Sequence, residues 1–222
     1  MAGIARMGSV TRGALIVFEG GDRCGKTTQC GLLLKALVEE GIKAQLMKFP
    51  DRTTKIGKII NDYLLGNQDV EDHVVHLLYS ANRWEAVPRM KDLLSRGTTL
   101  IVDRYAYSGV AFTAAKPDFD LEWCKTPDIG LPRPDVVVQL KLSTEAAMMR
   151  GGFGQERYEK ADFQAKVASN YEKLRDSTWE VIDADKSIED LHTELLTLCK
   201  RVIKSTENKP LSALWKKGII NL

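Results

Sequence analysis

Nowhere does the chain carry the run of about 18 apolar residues that a membrane-spanning helix needs, so no membrane role is expected. The opening stretch, MAGIARMGSVTRG, also lacks an apolar segment of signal-peptide length, and its two arginines fall short of a transit peptide. The cytoplasm is the expected compartment, with nucleus and organelle left open. An excess of charge of one sign is missing as well: 32 basic residues against 30 acidic ones leave a net charge of +2. Without an overall field to gather nucleic acid, any anion must be held by a local cluster, and no nucleic-acid partner is expected. The four cysteines, Cys24, Cys30, Cys124 and Cys199, show no C-x-x-C spacing, which argues against zinc and against a disulfide scaffold and fits a reducing compartment. His73 and His76 stand three apart, but no third ligand lies near them in sequence, so packing or interface roles are expected. Internal repeats, low-complexity tracts and long linkers are absent too.

What is present is the composition of one α/β domain: 222 residues, 44% hydrophobic and 28% charged, enough for an ample core. Its organising stretch is Leu15 to Gln29, LIVFEGGDRCGKTTQ. An apolar, β-branched run leads into Gly20-Gly21-Asp22-Arg23-Cys24-Gly25-Lys26-Thr27, which fits the phosphate-loop pattern G-x-x-x-x-G-K-[ST] in the required strand-loop-helix context. Gly20 and Gly25 allow the tight turn that aims backbone N–H groups at an anion. The helix opening at Gly25 adds its unpaired donors and positive dipole end. Lys26 supplies a mobile charge for the β- and γ-phosphates, and the Thr27 hydroxyl can coordinate Mg²⁺.

Further along, apolar spacing predicts a helix from Thr28 to Glu40 and a strand from Ala44 to Phe49. Ligands of parallel sheets gather at the carboxyl ends of strands, which draws attention to Phe49-Pro50-Asp51-Arg52: an arginine able to fork onto a phosphate beside a ring able to wall a base. Ile56 to Leu65 reads as a helix, and Val70 to about Leu94 as a longer one that Pro88 should kink or end. Within it Tyr79 and Arg83 share a face, either as a base platform with a forked donor or as a surface cation–π contact. Thr98 to Val102 reads as the third strand and ends in Asp103-Arg104-Tyr105. Asp103 is either an Mg²⁺-linked carboxylate or the cap of the next helix, Arg104 a second phosphate clamp, and Ser108 and Thr113 hydroxyls on that helix. Asp135 to Leu142 and Trp179 to Ile182 supply the fourth and fifth strands, and Ile188 to about Ile203 a final helix. The glycine- and arginine-rich segment of about 150–160 reads either as a lid or as a plain mobile surface loop, and Leu214 and Trp215 in the tail are expected to dock on the body.

Six segments in order carry a resemblance over nearly the whole chain: FEGGDRCGKTTQ, FPDRTT, HLLYSANRWE, VDRYAYSGVAFTAAK, GFGQERYE and DADKSIE. Together they resemble the thymidylate kinase family of eukaryotic type. The resemblance implies a single domain over 1–222 with its core at 13–206, a lid at about 150–160, and terminal extensions at 1–12 and 207–222. It implies a three-layer P-loop kinase fold, α/β, with a five-stranded parallel sheet flanked by helices, and a homodimer. The implied reaction is transfer from ATP to dTMP with Mg²⁺. The residues implied for ATP are Gly20, Gly21, Asp22, Arg23, Cys24, Gly25, Lys26, Thr27 and Thr28, with Arg150 and Arg157 from the lid and Lys186 beside the adenine. For dTMP the resemblance implies Asp22 near the sugar hydroxyl, Phe49 and Tyr79 facing the ring, and Arg83 donating to the thymine carbonyl. Arg52 and Arg104 clamp its phosphate, Ser108 joins the dTMP-binding set, and Tyr158 crowds the 2′ side of the sugar. Catalysis would rest on Arg23, Lys26, Asp103 and Arg104, with Thr27 and Asp103 at the metal, directly or through water. Two positions depart from the family pattern: Tyr79 stands where phenylalanine is usual, and Cys24 where a small inert residue is common. Modification of Cys24 is therefore expected to block ATP binding.

The alternative within the same chemistry is a broader deoxynucleoside-monophosphate kinase that also accepts dUMP or dGMP, since an apolar pocket discriminates weakly over one methyl group. A GTP-driven switch is the rival from another class. It would need an Asn-Lys-x-Asp guanine signature, which the sequence lacks, and it has no use for arginines on an acceptor side.

Overall fold

The computed structural model describes residues 11–143, 146 and 161–216. All five expected strands are present: β1 (Leu15–Gly20), β2 (Ala44–Lys48), β3 (Thr99–Asp103), β4 (Val136–Lys141) and β5 (Trp179–Asp183). They form one parallel sheet in the order β2-β3-β1-β4-β5. Every residue of the central β1 is buried, because helices cover both faces; this is why the strand reads as a continuous apolar run. The two-residue period of a strand divides it. Ile16 and Phe18 face one core with Leu33 and Leu37 of α1 (Lys26–Glu39) and Leu191 and Leu195 of the last helix. Leu15 and Val17 face the opposite core with Met90, Val110, Val167 and Tyr171. The result is three layers.

The remaining helices among the described residues are α2 (Lys55–Leu64), α3 (Asp72–Trp84), α4 (Val87–Ser95), α5 (Ala106–Thr113), α6 (Leu121–Lys125), α7 (Ala161–Leu174) and α8 (Ile188–Thr206). The long helix expected from Val70 to about Leu94 is two helices. Pro88 lies in the first turn of α4, where its missing N–H costs no hydrogen bond, so the interruption falls where the proline allows it. The sequence reading assigned neither α6 nor α7. The stripe of α7, Phe163, Val167, Tyr171 and Leu174, has helical spacing, and its packing on the α5 side of the sheet shows what that spacing is for. Leu214 and Trp215 dock as expected. Leu214 exchanges hydrogen bonds with Gly130 and Leu131 at 3.0 and 2.8 Å, and the Trp215 ring stands edge-on to Tyr107 at 5.5 Å.

His76 serves packing. It is fully buried, Nε2 donates to the Cys124 carbonyl at 2.9 Å, and Nδ1 is therefore left to accept from the Thr113 hydroxyl at 2.8 Å. Burial pushes its pKa below the ordinary 6.5, because no water solvates the cation. The unfolded chain then takes up a proton more readily than the folded one, so the contribution of His76 is complete above about pH 6.5 and is lost as the pH falls further. Thermal melts from about pH 7.5 to about pH 5 should show a falling midpoint whose slope is shallower in His76→Gln. Equal slopes would remove His76 from the acid response.

Candidate active site

The carboxyl end of β1 delivers the chain into the phosphate loop. Gly20 has φ +138°, and a Cβ there would come within 2.4 Å of the Leu140 carbonyl oxygen, so only glycine fits. Gly25, at φ +91°, opens α1 with no side-chain cap, which leaves the first-turn N–H groups to be satisfied by an anion. Lys26 is buried and its Nζ donates to the Gly20 and Gly21 carbonyls at 3.2 and 2.6 Å. Thr27 Oγ1 donates to Asp103 Oδ2 at 2.6 Å, bringing together the two residues expected at the metal. Asp103 does not cap α5. The donors at that helix start, Tyr105 N and Ser108 N, go to Glu19 Oε1 at 2.9 and 3.1 Å. Asp103 Oδ1 is buried with no hydrogen-bond partner, which suits an oxygen ligand of a hard cation.

Asp22, Arg23, Gly25, Lys26, Thr27, Thr28 and Lys186 line one cleft with Asp103. Gly20, Gly21 and Cys24 do not line it. Cys24 packs into the core with 1% of its surface exposed, and its thiol sits 3.4 Å from Lys26 Nζ. A thiol reagent thus has no open path to it, and the expected sensitivity of ATP binding to Cys24 modification gains no support from its placement. Arg150, Arg157, Tyr158 and the expected lid lie outside the described residues.

A second cleft gathers Asp22, Phe49, Arg52, Tyr79, Arg83, Arg104 and Ser108, which are all the described residues expected around the acceptor. Asn82 positions the Arg52 loop: its Oδ1 accepts from Asp51 N at 2.7 Å, and its Nδ2 donates to the Asp51 carbonyl at 3.2 Å. Arg83 corrects the surface-contact reading. It is 2% exposed, and its Nε and Nη2 donate to both oxygens of the fully buried Asp128 at 3.0 and 2.6 Å. Ser80 Oγ adds a bond to the same carboxylate at 2.7 Å. The guanidinium lies against Gly109, where a Cβ would come within 2.9 Å of Nη2 and 3.1 Å of Nη1. Tyr79 is half-buried on the wall of this cleft and packs beside the small core of α2 and α3.

Arg104 stands between the two clefts. Its backbone is left-handed, φ +67°, as is that of Arg23, φ +64°, a conformation that costs a non-glycine residue on the order of 1 kcal/mol. Its guanidinium pairs with Asp22 and reaches Ser108 Oγ at 3.3 Å and the Gly20 carbonyl at 3.4 Å. Burial acts to lower its pKa, but Asp22, Tyr171, Glu19 and Asp103 outweigh that, so it stays charged. Asp22, Phe49, Arg52 and Arg104 belong to both clefts, so the two sites open on each other at a cationic junction. Such a junction can hold two anionic groups end to end. Sequence reasoning missed Asp128, Asn82, Gly109 and Glu19. Each acts through a partner remote in the chain, and only the phosphate-loop pattern had drawn attention near Glu19.

The thymidylate kinase family model matches residues 18–195. The thymidylate kinase of Danio rerio is 53% identical over 211 residues, 94% of this chain and 100% of the relative. That of Homo sapiens is 53% identical over 208 residues, 92% of this chain and 98% of the relative. Among solved structures, a thymidylate kinase from Candida albicans, described as having broad substrate specificity, is similar with a TM-score of 0.83 at 38% identity, covering 92% of this chain and 99% of that one.

Proposed function

Because this chain belongs to the thymidylate kinase family and phosphorylates dTMP to dTDP with ATP as donor, we propose that the two joined clefts divide the work between donor and acceptor. The supporting observation is that Asp22, Arg52 and Arg104 line both clefts, a junction where an acceptor phosphate would meet the phosphate loop. The acceptor phosphate needs no strong base, so positioning and charge neutralisation carry the rate. Lys26 exchanges its loop carbonyls for the β- and γ-phosphates, and Arg23 reaches the γ-phosphate from inside the loop. Arg52 and Arg104 offset the repulsion between the two polyanions. Thr27 and Asp103 would hold Mg²⁺, which when bound neutralises phosphate charge. Phe49 and Tyr79 face the base, Arg83 donates to its carbonyl, and Ser108 lies on the phosphate side beside Arg104. The family resemblance assigns Arg150, Arg157 and Lys186 to ATP and Tyr158 to the 2′ side of the acceptor sugar.

A coupled ADP-release assay with dTMP, dUMP, dGMP and AMP in parallel tests this reading. dTMP should be the preferred acceptor, and binding of ATP without ADP release for any pyrimidine monophosphate, with Mg²⁺ in excess, would overturn it.

No helix among the described residues is long and apolar enough to cross a membrane, and the cytoplasm is the proposed compartment. The proposed assembly is a homodimer through α3, where Val74, Leu77 and Trp84 form an exposed apolar stripe with Ile129. Light scattering should give twice the chain mass for the wild type and the monomer mass for Leu77→Glu. A monomeric wild type would remove the dimer.

A further inference from the structure

Glu19 is the penultimate residue of β1, directly before Gly20 at the start of the phosphate loop, and is fully buried. A carboxylate in such a place is costly unless its oxygens are saturated with donors. Here they are. Oε1 accepts from Tyr105 N and Ser108 N at 2.9 and 3.1 Å, and Oε2 accepts from Ser108 Oγ at 2.5 Å and from Tyr171 OH at 3.0 Å. Glu19 therefore caps α5, which has no side-chain cap of its own, from the neighbouring strand. Ser108 Oγ in turn accepts from Arg104 Nη1 at 3.3 Å, so the chain of contacts runs from Glu19 through Ser108 to the acceptor clamp. Burial raises the Glu19 carboxyl above its ordinary pKa, while Ser108, Arg104 and the two backbone N–H groups pull it back.

We propose that Glu19 is a positioning residue for phosphoryl transfer, whose buried carboxylate holds Ser108 and Arg104 in register with the phosphate loop that follows it. The inference rests on the acceptor reading of the Arg104 cleft. A cap that served only the fold would have no reason to act through the two acceptor-side groups of that cleft. Glu19→Gln separates the two roles. Its amide oxygen can keep both backbone donors, while the amide nitrogen turns toward hydroxyls able to accept instead. The helix cap survives, whereas the negative charge and the direction of the Ser108 hydrogen bond do not.

The test measures kcat, the KM for dTMP, and the Kd for ADP by calorimetry, with the fold monitored by circular dichroism. In Glu19→Gln, kcat/KM for dTMP should fall by about 30-fold or more while the Kd for ADP stays within about threefold. Glu19→Asp, which keeps the charge, should recover part of the loss. Equal losses on donor and acceptor sides, or unimpaired kinetics, would overturn the proposal. If Glu19→Gln does not fold, Tyr171→Phe removes one donor and keeps the ring; it should raise the KM for dTMP by about threefold or more with ADP affinity unchanged, and no change would overturn the proposal. A wild type inert toward all monophosphates would fell the acceptor reading and this inference with it. An active wild type beside an equally active Glu19→Gln would fell this inference alone.

Discussion

Arg104→Ala is expected to lower turnover with dTMP by about two to three orders of magnitude, roughly 3–4 kcal/mol at the barrier, the scale of one preorganised charge contact. The expectation follows from where the guanidinium sits. It belongs to both clefts and is held there by Asp22, Ser108 and the Gly20 carbonyl, so it needs little rearrangement to meet an incoming phosphate. Arg104→Lys should rescue poorly, because an ammonium cannot reproduce the fork that reaches several acceptors at once. Arg104→Gly is the informative control. Glycine relaxes the left-handed backbone but lacks the guanidinium, so a loss equal to that of alanine assigns the effect to the side chain. Steady-state kinetics with dTMP as the varied substrate checks all three, and near-normal activity in Arg104→Ala would remove this arginine from the mechanism.

Asp128→Asn should have the largest effect on stability. Arg83 and Asp128 are both buried and share two hydrogen bonds, so neutralising one partner leaves the other charge unpaired in the interior. Breaking such a pair costs about 3–5 kcal/mol. For a chain of this length each kcal/mol moves the melting midpoint by about 2–4 °C, so a fall of roughly 6–20 °C is expected. The same substitution releases the guanidinium from its place over Gly109, and the KM for dTMP should rise by about tenfold or more at a temperature where the variant is folded. A thermal melt and an acceptor titration test both halves. A midpoint within about 2 °C of wild type, with KM unchanged, would show that Asp128 does not hold Arg83.

These two residues also differ in how local their signals are in the chain. Arg104 follows a β-rich apolar run and an aspartate, so a strand-end reading located it from local pattern alone. Asp128 lies in the short turn after α6, and nothing in its neighbourhood distinguishes it from a solvated turn aspartate. Its importance comes from Arg83, 45 positions earlier, reaching it across the molecule. The sequence left Arg83 open between a base donor and a surface contact for the same reason. Spacing along a helix tells which side chains share a face, but what covers that face is contributed by other segments. The rival role for Asp103 was settled likewise, because the α5 donors it might have capped are taken by Glu19 from β1.

The sequence by itself determined the strands, the phosphate loop and the positions of Arg52 and Arg104 near strand ends, because strand runs, glycine turns and the Gly-Lys-Thr triplet are local in the chain and each has a direct physical reason. Only the tertiary structure decided that Asp103 faces Thr27, that Arg83 is anchored inside rather than exposed, and that Glu19 ties the end of β1 to α5. Those facts depend on which buried charges and donors meet across the sheet, and a buried polar group takes its partner from whatever the packing brings within reach.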